Sequence, residues 1–363
     1  MGARTKWMTA VGTVGLLALT ACGSSDSGSS SGETASGGAE APSGKVGVIL
    51  PDTQSSVRWE TADRPFLENA FKEAGVDYDI QNAQGDAGRM STIADQMISQ
   101  GVTVLAIVNL DSASGAAIQK KAESQGVATI DYDRLTLDGA AKYYVSFDNT
   151  KVGELQGEGL AQCLDGEKAN IVYLNGSPTD NNATLFSEGA HSVLDKMPSI
   201  TAVAEQAVPD WDNQQAATIF EQMYTQQKGD IQGVLAANDG LGNAAISILK
   251  KNGVNGKVPV TGQDATVQGL QNILAGDQCM TVYKAVKKEA QGLADLAIGL
   301  IKGEDVKVDG SVMDGDREVP AMLLEPQAIF KDSVKDVVDD GFVTKEDLCT
   351  GEYADLCTEA GIS

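Results

Sequence analysis

Residues 127–134 read VATIDYDR, an apolar, β-branched run that ends abruptly in Asp133 and Arg134. The same change recurs at 234–239 (VLAAND), where Asn238 and Asp239 follow Val234–Ala237, and at 258–264 (VPVTGQD), where Gln263 and Asp264 follow Val258–Gly262. Runs of this length and composition read as strands, and in an open parallel α/β sheet ligands bind outside the carboxyl ends of the strands. Taken one at a time, an Asp or Asn in such a place is explained as the cap of the helix that follows. Three such sites, together offering carboxylates, amides and a guanidinium, favour a polar cleft for a small ligand rich in hydrogen-bonding groups.

Outward from that segment the chain alternates short strand-like runs with amphipathic helical stretches, the pattern of α/β architecture with parallel sheets. Strands are expected at 46–50, 78–81, 104–108, 127–132 and 143–147, with helices at 63–74, 91–100 and 116–125 between them. The pattern restarts with a helix at 152–164, then strands at 170–174, 202–207, 233–237, 258–261 and 280–283, and a helix at 288–301. Two similar halves joined near Phe147 and Asp148 imply two lobes with a cleft between them, the late strand and helix returning to the first. Gly240–Ala245 spell G-x-G-x-x-A, with Asp264 downstream at a dinucleotide-like spacing. That fingerprint belongs in the first strand-to-helix turn of a nucleotide fold; this copy lies late in the second half, so the glycines are read as letting a helix start close beneath the cleft.

The 363 residues suffice for about two domains on a prior of roughly 150 residues each. A net charge of −24 repels phosphate backbones and argues against nucleic-acid binding. Arg4 and Lys6 precede an apolar stretch, Met8–Leu19, too short to span a bilayer but suited to an export signal. It closes in Leu19-Thr20-Ala21-Cys22, which resembles a bacterial lipoprotein signal. The expectation is a signal at 1–21, lipid on Cys22 and a protein held at the outer face of the cell membrane. Residues 22–44, almost wholly Ser, Gly, Ala and Glu after the cysteine, would be a flexible tether. Four cysteines then remain in an oxidising compartment, where three pairings are open. Cys349 with Cys357 is favoured because a short loop containing Gly351 can bring them together, which leaves Cys163 for Cys279. With His191 the only histidine and no C-x-x-C spacing, no metal site and no cofactor is expected.

Asp133 and Asp264 could serve as the carboxylate pair of a glycoside hydrolase. Both lie among cationic donors that would keep them ionised, and the chain has no G-x-S-x-G elbow. No enzymatic activity is expected. The ligand-sensing half of a transcriptional repressor is disfavoured by the signal, the tether and the lack of a helical headpiece before Lys45.

Five strings appear in an order that resembles the periplasmic D-xylose-binding proteins of bacterial ABC importers, within a wider group of ribose and galactose binders. They are IDYDRL (130–135), VSFDNTKVGELQ (145–156), GSPTDNNA (176–183), TGQDA (261–265) and TVYK (281–284). The resemblance runs from about Lys45 to Phe342. It implies a two-lobed, type I periplasmic-binding-protein fold with three crossover segments as hinge, closing on one monosaccharide that an ABC importer permease then receives. It also implies lobes of 45–147 plus about 284–310 and 148–283 plus about 311–330, with 331–363 left as a disulfide-stapled tail. Carried over by motif, the ligand residues are Arg58 and Trp59 after the first strand and Asp133 with Arg134 after the fourth. Asp180, Asn182, Trp211, Asn238 and Asp264 come from the second lobe, and Lys284 from a hinge segment. A sugar needs such a set: acceptors, fixed cationic donors, mixed amides and an aromatic plane for its apolar ring face.

Overall fold

The computed structural model describes residues 44–362. The expected signal, Cys22 and all of the tether but Gly44 lie outside them. Strand β1 (Lys45–Leu50) leads through a π turn at Trp59–Asp63 into α1 (Arg64–Ala74), followed by β2 (Asp77–Asn82), α2 (Ala87–Ser99), β3 (Val104–Ile107), α3 (Ser112–Ser124), β4 (Ala128–Tyr132) and β5 (Tyr143–Phe147). The second unit starts with α4 (Asn149–Cys163), β6 (Ala169–Asn175), α5 (Asn181–Leu194), β7 (Ile200–Ala207), α6 (Asn213–Gln226) and β8 (Gly233–Ala236). Then come α7 (Asp239–Lys251), α8 (Val267–Ala275), β9 (Thr281–Tyr283), α9 (Val286–Lys302), β10 (Gly310–Asp314), β11 (Arg317–Leu324) and β12 (Gln327–Ile329). Short helices α10 (Val334–Asp339), α11 (Lys345–Leu348) and α12 (Tyr353–Glu359) finish the chain.

The first lobe is one sheet in the order β10-β11-β5-β4-β3-β1-β2, parallel except for β10 at the edge. Its central strands β1, β3, β4 and β5 are buried on both faces, as an apolar run such as VGVIL requires. On one side α1 and α9 cover Val46, Val48, Ile130 and Val145; on the other Ile49, Leu105 and Ile107 meet α2 and α3. The second lobe centres on the parallel trio β7-β6-β8. In both sheets the order reverses beside the first strand of the unit, β1 or β6, which is where crevices open at the strands' carboxyl ends. The chain passes between lobes at β5–α4, β9–α9 and β11–β12.

Two expectations are corrected. Residues 311–330 do not belong to the second lobe as a block: β10 and β11 extend the first-lobe sheet, with Ala321–Leu324 paired in parallel to Tyr144–Phe147, and only β12 pairs with β9. Burial drives this, because Val319 and Ala321 close over Leu135 and Tyr144 at what would otherwise be an open sheet edge. Residues 258–261 do not form a full strand but a single bridge between Val234 and Val260. Pro259 has no N–H to give the ladder; beyond the bridge the Thr261 hydroxyl accepts from Ala236 N and donates to Ala236 O at 3.0 Å each.

One close approach sets the second lobe. A Cβ on Gly153 would lie 2.0 Å from Phe186 O, so α4 and α5 cross at backbone contact. The tail packs on α8, burying Val334, Val337, Leu348 and Cys357. Disulfides join Cys163 to Cys279 and Cys349 to Cys357. Among the described residues no helix is long and apolar enough to cross a membrane.

Candidate functional site

All ten residues singled out in the sequence line one cavity between the lobes, together with Ser55, Ser56, Phe186 and Gln263. From the first lobe, Arg58 ends the loop after β1. Its guanidinium is buried and almost spent: Nε and Nη2 donate to the two Asp63 oxygens at 2.8 Å, Nη2 donates to Glu289 Oε2 at 2.9 Å, and Nη1 donates to Asp133 Oδ2 at 2.9 Å. Of five N–H donors, one on Nη1 is left. Tyr132 Oη donates to Asp63 Oδ1 and fixes the carboxylate from behind. The Trp59 ring carries the guanidiniums of Arg58 and Arg134 at 4.5 and 5.5 Å from its centre, and Nε1 donates to Ser55 Oγ.

Asp133 follows β4 with φ 61°, a left-handed turn that aims its carboxylate into the cavity. Burial alone would raise this carboxyl; Arg58, then Lys284 and Arg134, outweigh it and hold it below the ordinary carboxylate range. Asp264 stands at φ 92°, beyond the usual left-handed basin, which is the kind of backbone strain that clusters at binding sites. Lys284, at the β9–α9 crossing, lies 3.3 Å from Asp264 Oδ1 and 3.8 Å from Asp133 Oδ2, so one cation faces a carboxylate from each lobe.

From the second lobe, Asp180 and Asn238 are helix caps and cavity residues at once. Asp180 Oδ1 accepts from Asn182 N, starting α5, while Oδ2 accepts from Trp211 Nε1 at 3.1 Å. Arg134 Nε lies 2.9 Å from that same oxygen, but its N–H is not aimed at it, so the pair is held by charge rather than by a well-aligned hydrogen bond. Burial pushes the Asp180 carboxyl up despite Arg134. Asn238 Oδ1 accepts from Leu241 N to start α7, and Nδ2 reaches across to Ser55 O at 3.1 Å. In that helix Gly242 allows close contact with Thr261 O, 3.0 Å from where a Cβ would be. Trp211 lies flat on Gly176, whose Cβ would meet the ring at 2.1 Å.

Three more bonds join the lobes. Asn182 Nδ2 donates to Asp133 O at 3.0 Å and Oδ1 at 3.3 Å, and Ser56 Oγ donates to Asp264 Oδ2 at 2.8 Å. Both lobes therefore grip the same space in a closed arrangement. Arg134 Nε and Gln263 Oε1 are buried there without a hydrogen-bond partner from the described residues. A donor and an acceptor left over in a shielded cavity suit a small polyhydroxylated solute better than an apolar one.

The motif-based set omitted Ser55, Ser56, Phe186 and Gln263, and also the layer behind Arg58. Gln263 was signalled by its strand-end position. Glu289 carries a sequence signal too: it sits on the stripe Val286, Glu289, Ala290, Leu293, Ala297, which is buried throughout. A carboxylate on the apolar face of a helix needs a buried cation. Asp63 and Ser55 carry no comparable signal.

Residues 46–305 match the family model described as a periplasmic binding protein domain. The chain is 34% identical over 308 residues to the D-xylose-binding periplasmic proteins of Haemophilus influenzae and Escherichia coli, covering 84% of this chain and 92% of each relative. A solute-binding protein of an ABC transporter from Clostridium phytofermentans, solved with bound β-D-glucose, superposes with a TM-score of 0.77 at 27% identity over 84% of this chain and 99% of that one. The carbohydrate transporter solute-binding protein of Chloroflexus aurantiacus, in complex with D-glucose, gives 0.76 at 29% identity over 83% and 97%. The chain belongs to the periplasmic binding protein family, whose members matched here are extracytoplasmic receptors for transport, not enzymes.

Proposed function

We propose that this chain captures a monosaccharide, D-xylose in first place, between its lobes and presents it to an ABC importer. The observation that carries the reading is the cavity itself, in which Arg58, Asp133 and Arg134 of one lobe face Asp180, Asn182, Asn238 and Asp264 of the other, with Trp59 and Trp211 as aromatic planes. Micromolar affinity for a pentose of about ten heavy atoms requires roughly 0.8 kcal/mol per atom. An open groove competing with water does not supply that; enclosure by two lobes lets hydrogen bonds to charged groups count for about 1.5–3 kcal/mol each. Closure also distinguishes loaded from empty receptor for the permease, because the sugar shifts the population toward the closed form.

The similarity to D-xylose-binding proteins supports xylose. A second reading, another aldose such as glucose, is favoured by the glucose bound in the two similar structures. Calorimetric titration of the chain from Lys45 onward with xylose, glucose, ribose, arabinose and galactose decides between them. One-to-one binding of xylose alone is expected, another preference moves the specificity, and binding of none overturns the receptor reading. Lipid on Cys22, supported by the Leu19–Cys22 string, would keep the receptor at the outer face of the membrane. Cys22→Ser should then shift the protein from the membrane to the soluble fraction, and a variant still held in the membrane refutes the anchor.

A further inference from the structure

Behind the cavity, Arg58 meets two carboxylates that do not line it. Arg58 is 2% exposed, Asp63 and Glu289 not at all, and the three meet within 2.9 Å. Asp63 comes from the π turn before α1, whereas Glu289 comes from the first turn of α9, five residues after Lys284 and just beyond a crossing between the lobes. Glu289 Oε2 accepts from Arg58 Nη2, while Oε1 is buried with no partner among the described residues. Asp63 alone already holds Arg58 by a two-pronged contact. A second buried carboxylate is costly unless it does something the first cannot. What it adds is direction: Asp63 grips the Nε edge, Glu289 the far side of Nη2, and the guanidinium plane is fixed with Nη1 toward Asp133 and the cavity.

We infer that Glu289 is a positioning residue for the sugar site, holding Arg58 so that Nη1 presents one N–H to the ligand and one to Asp133, without itself touching the sugar. The inference rests on the receptor reading above. Burial pushes the Glu289 carboxyl well above the ordinary range, against the pull of Arg58. Glu289 Oε2 gives Arg58 Nη2 an acceptor at 2.9 Å, while Nη1 stays turned to Asp133. Gln keeps an acceptor oxygen at that position, and Ala removes the acceptor altogether.

The test compares full-length wild type, Glu289→Gln and Glu289→Ala in two measurements. The first is affinity for the aldose that wild type prefers; the second is the 15N–1H signals of the Arg58 guanidinium without sugar, assigned with Arg58→Lys. The expected result is Glu289→Gln within about threefold of wild-type affinity, and Glu289→Ala at least tenfold weaker with Arg58 signals broadened by exchange. Unchanged affinity and unchanged signals in Glu289→Ala overturn the inference. So does a lower melting temperature with wild-type affinity, since that marks a merely structural role. If wild type binds no aldose, the receptor reading fails, and the guanidinium signals alone decide whether Glu289 holds Arg58.

Discussion

Asn182→Ala probes the closed state with little disturbance of either lobe. Asn182 sits in the first turn of α5, where Ala is a good helix former, and the helix cap is the neighbouring Asp180. Its amide makes two bonds to the opposite lobe, at 3.0 Å to the Asp133 carbonyl and at 3.3 Å to its ionised carboxylate. Asn149 loses an acceptor but keeps Tyr144 Oη at 3.2 Å and Ser146 Oγ at 3.3 Å, so no buried donor is stranded. A neutral bond counts for about 0.5–1.5 kcal/mol and one to a charged group for about 1.5–3, so closure loses about 2–4.5 kcal/mol. Both bonds are absent when the lobes part, and the loss falls on the closed state alone. At 1.4 kcal/mol per decade, the apparent Kd for the sugar weakens about 30-fold or more, mainly through a faster off-rate. Stopped-flow and calorimetry on wild type and variant measure this, with thermal melting of the sugar-free proteins expected to coincide within about 2 °C. A Kd within twofold of wild type would refute the idea that this latch holds the closed form.

Arg134→Ala and Asp264→Ala should each leave the fold largely intact and weaken sugar binding by about 2 kcal/mol or more, since a buried partner is left unpaired; normal xylose binding by both variants would show that the cavity is not the sugar site. His191 lies on Tyr173, with ring centres 4.3 Å apart, between Asp195 and Glu205. Burial pulls its pKa down, but the two carboxylates outweigh that and raise it. Its contribution to stability is therefore full below the unfolded value of about 6.5 and is lost as pH rises through the folded value. The melting-temperature gap between wild type and His191→Gln should be largest in mild acid and shrink above neutrality, and a gap that widens with pH would contradict the pairing.

The parts of the site that were legible in the sequence are those fixed by local chain geometry. Asp133 and Asn238 had to emerge at the cleft because each ends an apolar run whose strand is buried on both faces. The hairpin at 310–324 was not legible, since its strands alternate in burial, carry Pro320 and turn at Asp314–Arg317. Nothing local says which sheet edge such a ribbon covers, and it joined the sheet of the lobe that the chain had left at Phe147. The Arg58 cluster was hidden for the same reason. Asp63 and Glu289 stand 5 and 231 residues from Arg58 along the chain, and of the two only Glu289, out of place on an apolar stripe, marks itself.

The double duty of Asp180 and Asn238 shapes how such a receptor can change its taste. In each, one side-chain atom starts a helix and the other faces the cavity. Asp and Asn cap helices about equally well, so exchanging one for the other keeps the cap while turning an acceptor into a donor, or the reverse, at the cost of the bond to Trp211 or to Ser55. Each exchange is a single-nucleotide change in the codon. A lineage that meets a sugar differing by one inverted hydroxyl can follow it without passing through an unfolded intermediate, whereas Arg58, bound to three carboxylates, is shut out of that kind of drift.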